Sequence, residues 1–115
     1  MIDFDSLTVG EVKRLASLVG GLNGARPMDE TAFEVGKAYL IRTPTMHHIG
    51  RVVRITPTEL VLDDCGWLAD SGRFGECIAK GTYNEYEPMG DGVIVPRINV
   101  VDATIWRHKM PKEAK

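Results

Sequence analysis

The chain has 115 residues, a net charge of −2 and a hydrophobic fraction of 43%, values typical of one folded domain rather than of a disordered segment. The acidic balance argues against a general coat for duplex nucleic acid, because such proteins carry a clear basic excess. No stretch approaches the roughly 20 apolar residues that span a bilayer. We therefore expect a single domain over residues 1–115 with no membrane partner.

A helix is predicted over residues 7–20. Thr8 and Glu11 have the spacing of a capping box, in which each side chain satisfies a free backbone N–H of the first turn. Residues 21–36 contain glycine, proline and charge without periodicity, so we interpret them as a linker. The first residues are acidic and include no basic leader, which argues against a signal peptide.

Strand patterns follow, with alternating apolar residues and turn signals at Pro44 and Pro57. The predicted segments are 37–64 for strands one to three, 65–92 for an insertion with one or two helical turns, 93–106 for strands four and five around a tight corner, and 107–115 for a flexible polar tail. Five short strands are too few for a two-layer sandwich. They favour a mainly β fold, in which the N-terminal helix precedes a small, strongly bent, five-stranded open barrel.

Two stretches, "IGRVVRITPTELVLDD" and "VIVPRINVVDATI", resemble the two motifs of the Sm-like family, which includes the Sm proteins and the bacterial Sm-like RNA chaperone. Gly50 matches the glycine at which the second strand of that family bends. The resemblance implies an Sm-like or SH3-like barrel and no cofactor. It also implies a homo-oligomeric ring of six or seven subunits that binds RNA.

The match has departures. The family places an aspartate six residues after its glycine and an asparagine a few residues later, where this chain has Thr56, Glu59 and Leu60. In the second motif, Arg97 is followed by Ile98 instead of glycine. The fold and the ring therefore transfer more directly than RNA binding does. The longer pattern, including "LIRTPTMHHIGRVV" and "LDDCGWLADSGRF", also resembles uncharacterised small proteins encoded by bacteriophages and prophages.

The adjacent residues His47 and His48 suggest three roles: metal ligands, ordinary strand residues, or side chains that face a ligand. Neighbouring side chains of a strand point to opposite faces, so the two rings cannot easily share one ion. We predict no metal site, and we expect one ring on each side of the strand.

The other candidate binding residues are polar or aromatic side chains near predicted turns. Trp67 and Arg73 could stack on a base or pair with a phosphate, although a loop tryptophan more often packs against a barrel. Arg97 and Asn99 lie at the corner that approaches the pore in Sm-like rings, and Arg51 is the remaining candidate. A structural role is the alternative for each of them.

The sequence contains no constellation typical of a catalytic site, so we predict that the protein is not an enzyme. The adjacent Asp63 and Asp64 are expected to serve a turn. Cys65 and Cys77 match neither a disulfide framework nor a metal motif, which indicates reduced thiols in a cytoplasmic protein.

Three functional hypotheses remain open. The first is a ring that binds RNA or single-stranded nucleic acid. The second is a protein that binds or sequesters a nucleotide, and the third is a structural adaptor in a phage assembly. If the chain is phage-encoded, its location is the cytoplasm of the bacterial host.

Overall fold

The computed structural model describes residues 30–115; the predicted N-terminal helix over 7–20 and the predicted linker as far as residue 29 lie outside them. Residues 30–37 form neither helix nor strand. The elements that follow are β1 (Ala38–Arg42), β2 (His47–Ile55), β3 (Glu59–Asp70), α1 (Phe74–Lys80), β4 (Glu85–Gly90), β5 (Val93–Pro96), a 3₁₀ helix (Arg97–Asn99) and β6 (Asp102–Ile105). No helix within the described range is long and apolar enough to cross a membrane.

The six strands of the described residues form one antiparallel sheet in the order β4–β3–β2–β1–β6, and β5 pairs with β3 outside this path. β3 has two partners on one edge because it is 12 residues long. Its residues 59–62 pair with β5, and its residues 65–70 pair with β4. The mainly β prediction is thus confirmed, with one strand more than the five predicted.

β3 changes partner at Asp64, whose φ of 48° lies in the left-handed region that aspartate tolerates better than most residues. The Asp64 backbone N–H donates to Asp91 Oδ1 at 2.9 Å, and the Gly92 backbone N–H donates to Asp63 Oδ1 at 3.0 Å. The adjacent aspartates therefore hold the turn between β4 and β5, although they lie inside β3 and not at a strand end as predicted.

Apolar side chains form two buried clusters, one on each face of the sheet. Successive residues of β1 alternate between them: Tyr39 and Ile41 belong to the first cluster, whereas Leu40 belongs to the second. α1 covers the second cluster with the buried Cys77 and the partly buried Phe74. Burial of these apolar surfaces is the main force that holds the sheet and the helix together.

Gly50 allows a close approach between the paired strands β2 and β3. A Cβ atom built on Gly50 would lie 3.1 Å from Leu62 Cβ and 3.2 Å from Cys65 Cβ, closer than side chains normally pack. The register of the β2–β3 pairing also shifts between Ile49 and Arg51. The glycine predicted to permit a bend thus lies at an irregularity of the strand pairing.

The predicted end of the third strand at Asp64 is wrong, because β3 continues to Asp70. The predicted insertion over 65–92 contains the second half of β3, α1 and β4. Gly66 looks like a strand breaker in sequence, but the ring of Tyr86 lies directly over it and would overlap any side chain there. A glycine inside a strand often marks such a close approach.

The tail over residues 107–115, predicted to be flexible, folds back on the sheet and α1. The Trp106 indole N–H donates to the Lys109 carbonyl at 3.2 Å, and His108 Nε2 lies 2.7 Å from the Ile78 carbonyl. At the far end, Lys115 and Tyr86 exchange two backbone hydrogen bonds of 2.9 and 3.0 Å. These hydrogen bonds could not be predicted from the charged composition of the tail, because most of them use backbone groups.

Candidate functional site

His48 and Trp67 are direct cross-strand neighbours on β2 and β3, so their side chains lie on the same face of the sheet. The Trp67 side chain is 40% exposed, whereas His48 is only 7% exposed. His48 Nδ1 is buried and has no hydrogen-bond partner among residues 30–115. Burial, and secondarily the neighbouring His47, lowers the pKa of His48, so this ring is held in its neutral form. The exposed Trp67 ring is the part of this pair that a planar ligand can reach.

His47 is half-buried and lies on the opposite face, where it pairs in register with Arg42 of β1. Arg42 forms an ion pair with Asp102 and lies over the Phe74 ring. The two histidines thus follow the strand alternation, as expected. Among the described residues, no group of three or more His, Cys, Asp or Glu side chains could hold a metal ion.

Arg51 is occupied by an ion pair. One of its guanidinium nitrogens lies 2.6 Å from Asp64 Oδ2, and Lys112 Nζ lies 3.1 Å from Asp64 Oδ1. Hydrogen bonds from Lys112 and then from Arg51 lower the pKa of the Asp64 carboxyl. Arg51 therefore joins β2 to the point where β3 changes partner, and it shares the negative charge of Asp64 with Lys112.

Arg97 and Asn99 lie in the 3₁₀ helix between β5 and β6. Arg97 joins this helix to the β2–β3 turn: its guanidinium donates to the Thr56 carbonyl at 2.7 Å, and its backbone N–H donates to the Thr58 carbonyl at 2.8 Å. Asn99 is exposed, and the adjacent Ile98 is 92% exposed. We call residues 56–58 and 97–99 the corner.

Thr56 stands at the place of the Sm-family aspartate, and its hydroxyl is used within the turn. The hydroxyl oxygen accepts from the Thr58 backbone N–H at 3.3 Å and from the Glu59 backbone N–H at 2.9 Å. Thr56 therefore shapes the corner, and the exposed groups of Asn99 and Ile98 are the ones available to a ligand.

Arg73 is exposed at the residue before α1, and its side chain makes no capping hydrogen bond. The preceding Gly72 has a positive φ of 66°, and its N–H donates to Asp70 Oδ1 at 2.8 Å. Nothing in this arrangement brings Arg73 to the other candidate residues.

The seven predicted residues do not form one site. Trp67 and the start of β3 at Glu59 are eight residues apart, which is roughly 26 Å along an extended strand. The corner and the His48–Trp67 pair are therefore separate surfaces, located at opposite ends of the longest strand.

Both cysteines are free and buried, Cys65 in the first cluster and Cys77 in the second. Burial raises the pKa of the Cys65 thiol to about 12, and it also raises the pKa of Cys77. Neither thiol is therefore ionised near neutral pH, which makes both poor nucleophiles and poor metal ligands.

The sequence-based reasoning missed a cleft of about 670 Å³ between the C-terminal end of α1 and the folded tail. Its wall carries four lysines, a tyrosine and a histidine: Lys80, Tyr83, His108, Lys109, Lys112 and Lys115. The sequence does contain a signal, since three of these lysines recur at every third position of the tail. This spacing did not indicate a binding site, because the tail was expected to be flexible.

Comparison of the chain with protein-family models, with curated proteins and with solved structures gives no match.

Proposed function

We propose that this chain is a non-enzymatic, Sm-like homo-oligomeric protein of phage origin that binds RNA or single-stranded nucleic acid in the bacterial cytoplasm. The strand connectivity supports the Sm-like part of the proposal. β1, β2 and β3 form a meander, β5 returns to the first half of β3, and β6 returns to β1 after a single 3₁₀ turn. Five strands connected in this way can close into a small barrel, with β4 and α1 as an addition at one end of β3.

The corner is the observation that carries the nucleic-acid proposal. The resemblance to the Sm family places the base contacts in the two loops that Arg97 joins here. The exposed amide of Asn99 can pair with a base edge, and the exposed Ile98 offers an apolar surface for a base. Single-stranded nucleic acid suits such a surface, because its bases are free to leave the stack.

Self-association is supported by the edges of the sheet. Within residues 30–115, β5 pairs only with β3, and β6 pairs only with β1, so each strand has one free edge. Ile94 on β5 is 57% exposed and Val101 before β6 is 64% exposed. Free edges next to exposed apolar side chains favour pairing with another strand. A second copy of this chain offers both edges at once, which allows a closed ring.

A nucleotide-binding or nucleotide-sequestering function is the second candidate, and the His48–Trp67 pair favours it. A base can stack on the exposed ring of Trp67, next to the largely buried His48 on the neighbouring strand. Stacking on an aromatic ring is worth about 1–3 kcal/mol per base.

The test combines native mass spectrometry with fluorescence anisotropy of a short labelled single-stranded RNA. We expect an oligomer, and we expect Asn99→Ala to weaken RNA binding by about three- to tenfold, the loss of one or two hydrogen bonds. Asn84→Ala is the matched control, because Asn84 is also an exposed asparagine but lies before β4. A monomer would refute the ring, and equal binding by Asn99→Ala and the wild type would refute the corner as the RNA site.

Tryptophan fluorescence tests the second candidate, nucleotide binding at the His48–Trp67 pair. A nucleotide that stacks on Trp67 quenches the wild type and has no effect on Trp67→Phe, because the remaining Trp106 is only 5% exposed. A structural adaptor, the third hypothesis, should bind neither RNA nor a nucleotide.

A further inference from the structure

The cleft between α1 and the tail is positively charged although the chain as a whole is acidic. Its wall carries four lysines against one acidic side chain, Glu113. All four lysines are exposed, so their ammonium groups are accessible to a ligand. A charge of this sign in a concave surface attracts and concentrates anions.

Three of the four ammonium groups form no ion pair within residues 30–115, and one of these three lies over an aromatic ring. Lys112 pairs with Asp64, and Lys115 lies over the Tyr83 ring at 5.2 Å. In contrast, Lys80 and Lys109 form no ion pair with any of the residues that the structure describes. These two ammonium groups are therefore available to an anion that enters the cleft.

The wall of the cleft is anchored, which distinguishes it from a loose group of surface lysines. His108 is held by the Ile78 carbonyl, Pro111 is buried, and Lys115 pairs with Tyr86 through both of its backbone groups. Gly81 lets the histidine approach, because a Cβ there would lie 2.6 Å from His108 Cγ. The lysines therefore project from a fixed surface, and less conformational entropy is lost when they bind a ligand.

The cleft also has the size of a small-molecule site. Its volume of about 670 Å³ falls within the range of roughly 300–1,000 Å³ that is usual for ligand pockets. Because a carbonyl only accepts, His108 Nε2 must donate to Ile78, so its Nδ1 is the ring atom left for other partners.

We propose that this cleft is an anion site that binds phosphate groups through Lys80, Lys109 and the folded tail. The phosphates are those of a free nucleotide or of a nucleic-acid backbone. The site is separate from the corner and does not depend on the RNA binding proposed for it.

The test is a titration of the full ¹⁵N-labelled chain with inorganic pyrophosphate, followed by amide chemical shifts. We expect shifts in Tyr83 and residues 108–115, weakened by added salt because ion pairs are screened. Lys80→Gln and Lys109→Gln should each weaken binding by about two- to fivefold, as expected for one exposed charge. Lys37→Gln is the matched control: Lys37 is an exposed lysine paired with Glu34 outside the cleft, so its loss should leave the affinity unchanged.

Two further probes identify the source of the phosphate. Displacement of pyrophosphate by adenosine diphosphate but not by oligothymidylate assigns the cleft to a free nucleotide, and displacement by oligothymidylate assigns it to the nucleic-acid backbone. Adenosine, which has no phosphate, should not compete. The proposal is overturned if the shifts lie outside the cleft, or if both glutamine variants bind pyrophosphate as the wild type does. Asn99→Ala should bind pyrophosphate normally, so failure of the corner and failure of the cleft are distinguishable.

Discussion

The two halves of β3 have different surroundings, although they belong to one strand. The first half, residues 59–62, pairs with β5 and packs into the first apolar cluster, where the nearby polar groups are satisfied: Tyr39 Oη accepts from the Glu34 N–H at 2.9 Å. The second half, residues 65–70, lies beside both of the buried polar atoms without a partner among the described residues, His48 Nδ1 and Tyr86 Oη.

This difference indicates that the surroundings of residues 65–70 are not optimised for stability alone. A buried polar atom without a partner is costly, and such atoms cluster at functional or strained positions. The second half of β3 also pairs with β4, to which the tail that forms the lysine cleft is attached. We therefore expect substitutions there to have large and unusual effects, and substitutions around the first half to behave as ordinary core changes.

The largest effect is expected for Gly66→Ala. The added methyl group would overlap the Tyr86 ring, which is only 1% exposed and cannot move aside without opening the second cluster. Overpacking of this kind should lower the free energy of unfolding by about 3 kcal/mol. Urea denaturation measures the loss.

Gly75→Ala is the control for this prediction. Gly75 lies in α1 with no atom within 4 Å of an added Cβ, so alanine should leave stability unchanged or raise it slightly, because alanine favours helices. Equal stability of Gly66→Ala and the wild type would show that the Tyr86 ring does not lie over β3.

Gly81→Ala should lower the free energy of unfolding by about 2 kcal/mol and weaken the attachment of the tail to α1. Gly81 has a φ of 73° at the C-terminal cap of α1, and an added Cβ would also collide with His108. Hydrogen exchange of the Lys115 amide, which donates to the Tyr86 carbonyl, reports whether the tail has detached.

Comparison with Gly92→Ala distinguishes the effect of backbone strain from the effect of the steric clash with His108. Gly92 has nearly the same φ, 71°, but no atom lies within 4 Å of an added Cβ. This variant should therefore show only the cost of backbone strain, about 1 kcal/mol, with the Lys115 amide still protected. If both variants lose protection equally, the contact with His108 does not hold the tail.

Tyr86→Phe and Tyr39→Phe should change the free energy of unfolding in opposite directions. Removal of the unpaired Tyr86 hydroxyl should raise the free energy of unfolding by about 1 kcal/mol, whereas loss of the bonded Tyr39 hydroxyl should lower it by about the same amount. Thermal denaturation of the two variants gives the comparison directly. Destabilisation of both would indicate that the Tyr86 hydroxyl has a partner in solution.

The smallest effect is a dependence on pH. Folding lowers the pKa of His48 below its ordinary value of 6.5, so the unfolded chain binds the proton more readily. Stability contributed by the neutral ring is complete above pH 6.5 and decreases as the pH falls toward the lowered pKa. Urea midpoints at neutral and mildly acidic pH should show this decrease.

His48→Gln should remove that part of the pH dependence, while His47→Gln should retain most of it, because His47 lies on the other face and is only the second cause of the lowered pKa. An unchanged pH profile in His48→Gln would contradict the buried position of the ring.

Much of the sheet was predictable because its signals are local. Alternating apolar residues and the turn signal at Pro57 predicted strands over 37–64 and 93–106, and these ranges contain β1, β2, the start of β3, β5 and β6. The candidate site was predictable only in part. Strand alternation placed His47 and His48 on opposite faces, but the ion pair of Arg51 with Asp64 depends on a bulge that no local pattern announces.

The amino-acid sequence by itself determined the mainly β class and the positions of most strands, because side-chain alternation and turn residues act over a few neighbouring positions. Only the tertiary structure decided that β3 continues past Asp64, that Gly66 serves the Tyr86 ring, and that the tail folds back to form a basic cleft. Those features depend on contacts between residues 20 to 50 positions apart, such as Gly66 with Tyr86 and Asp64 with Lys112. These contacts stabilise the protein only after the sheet has formed and brought the partners together.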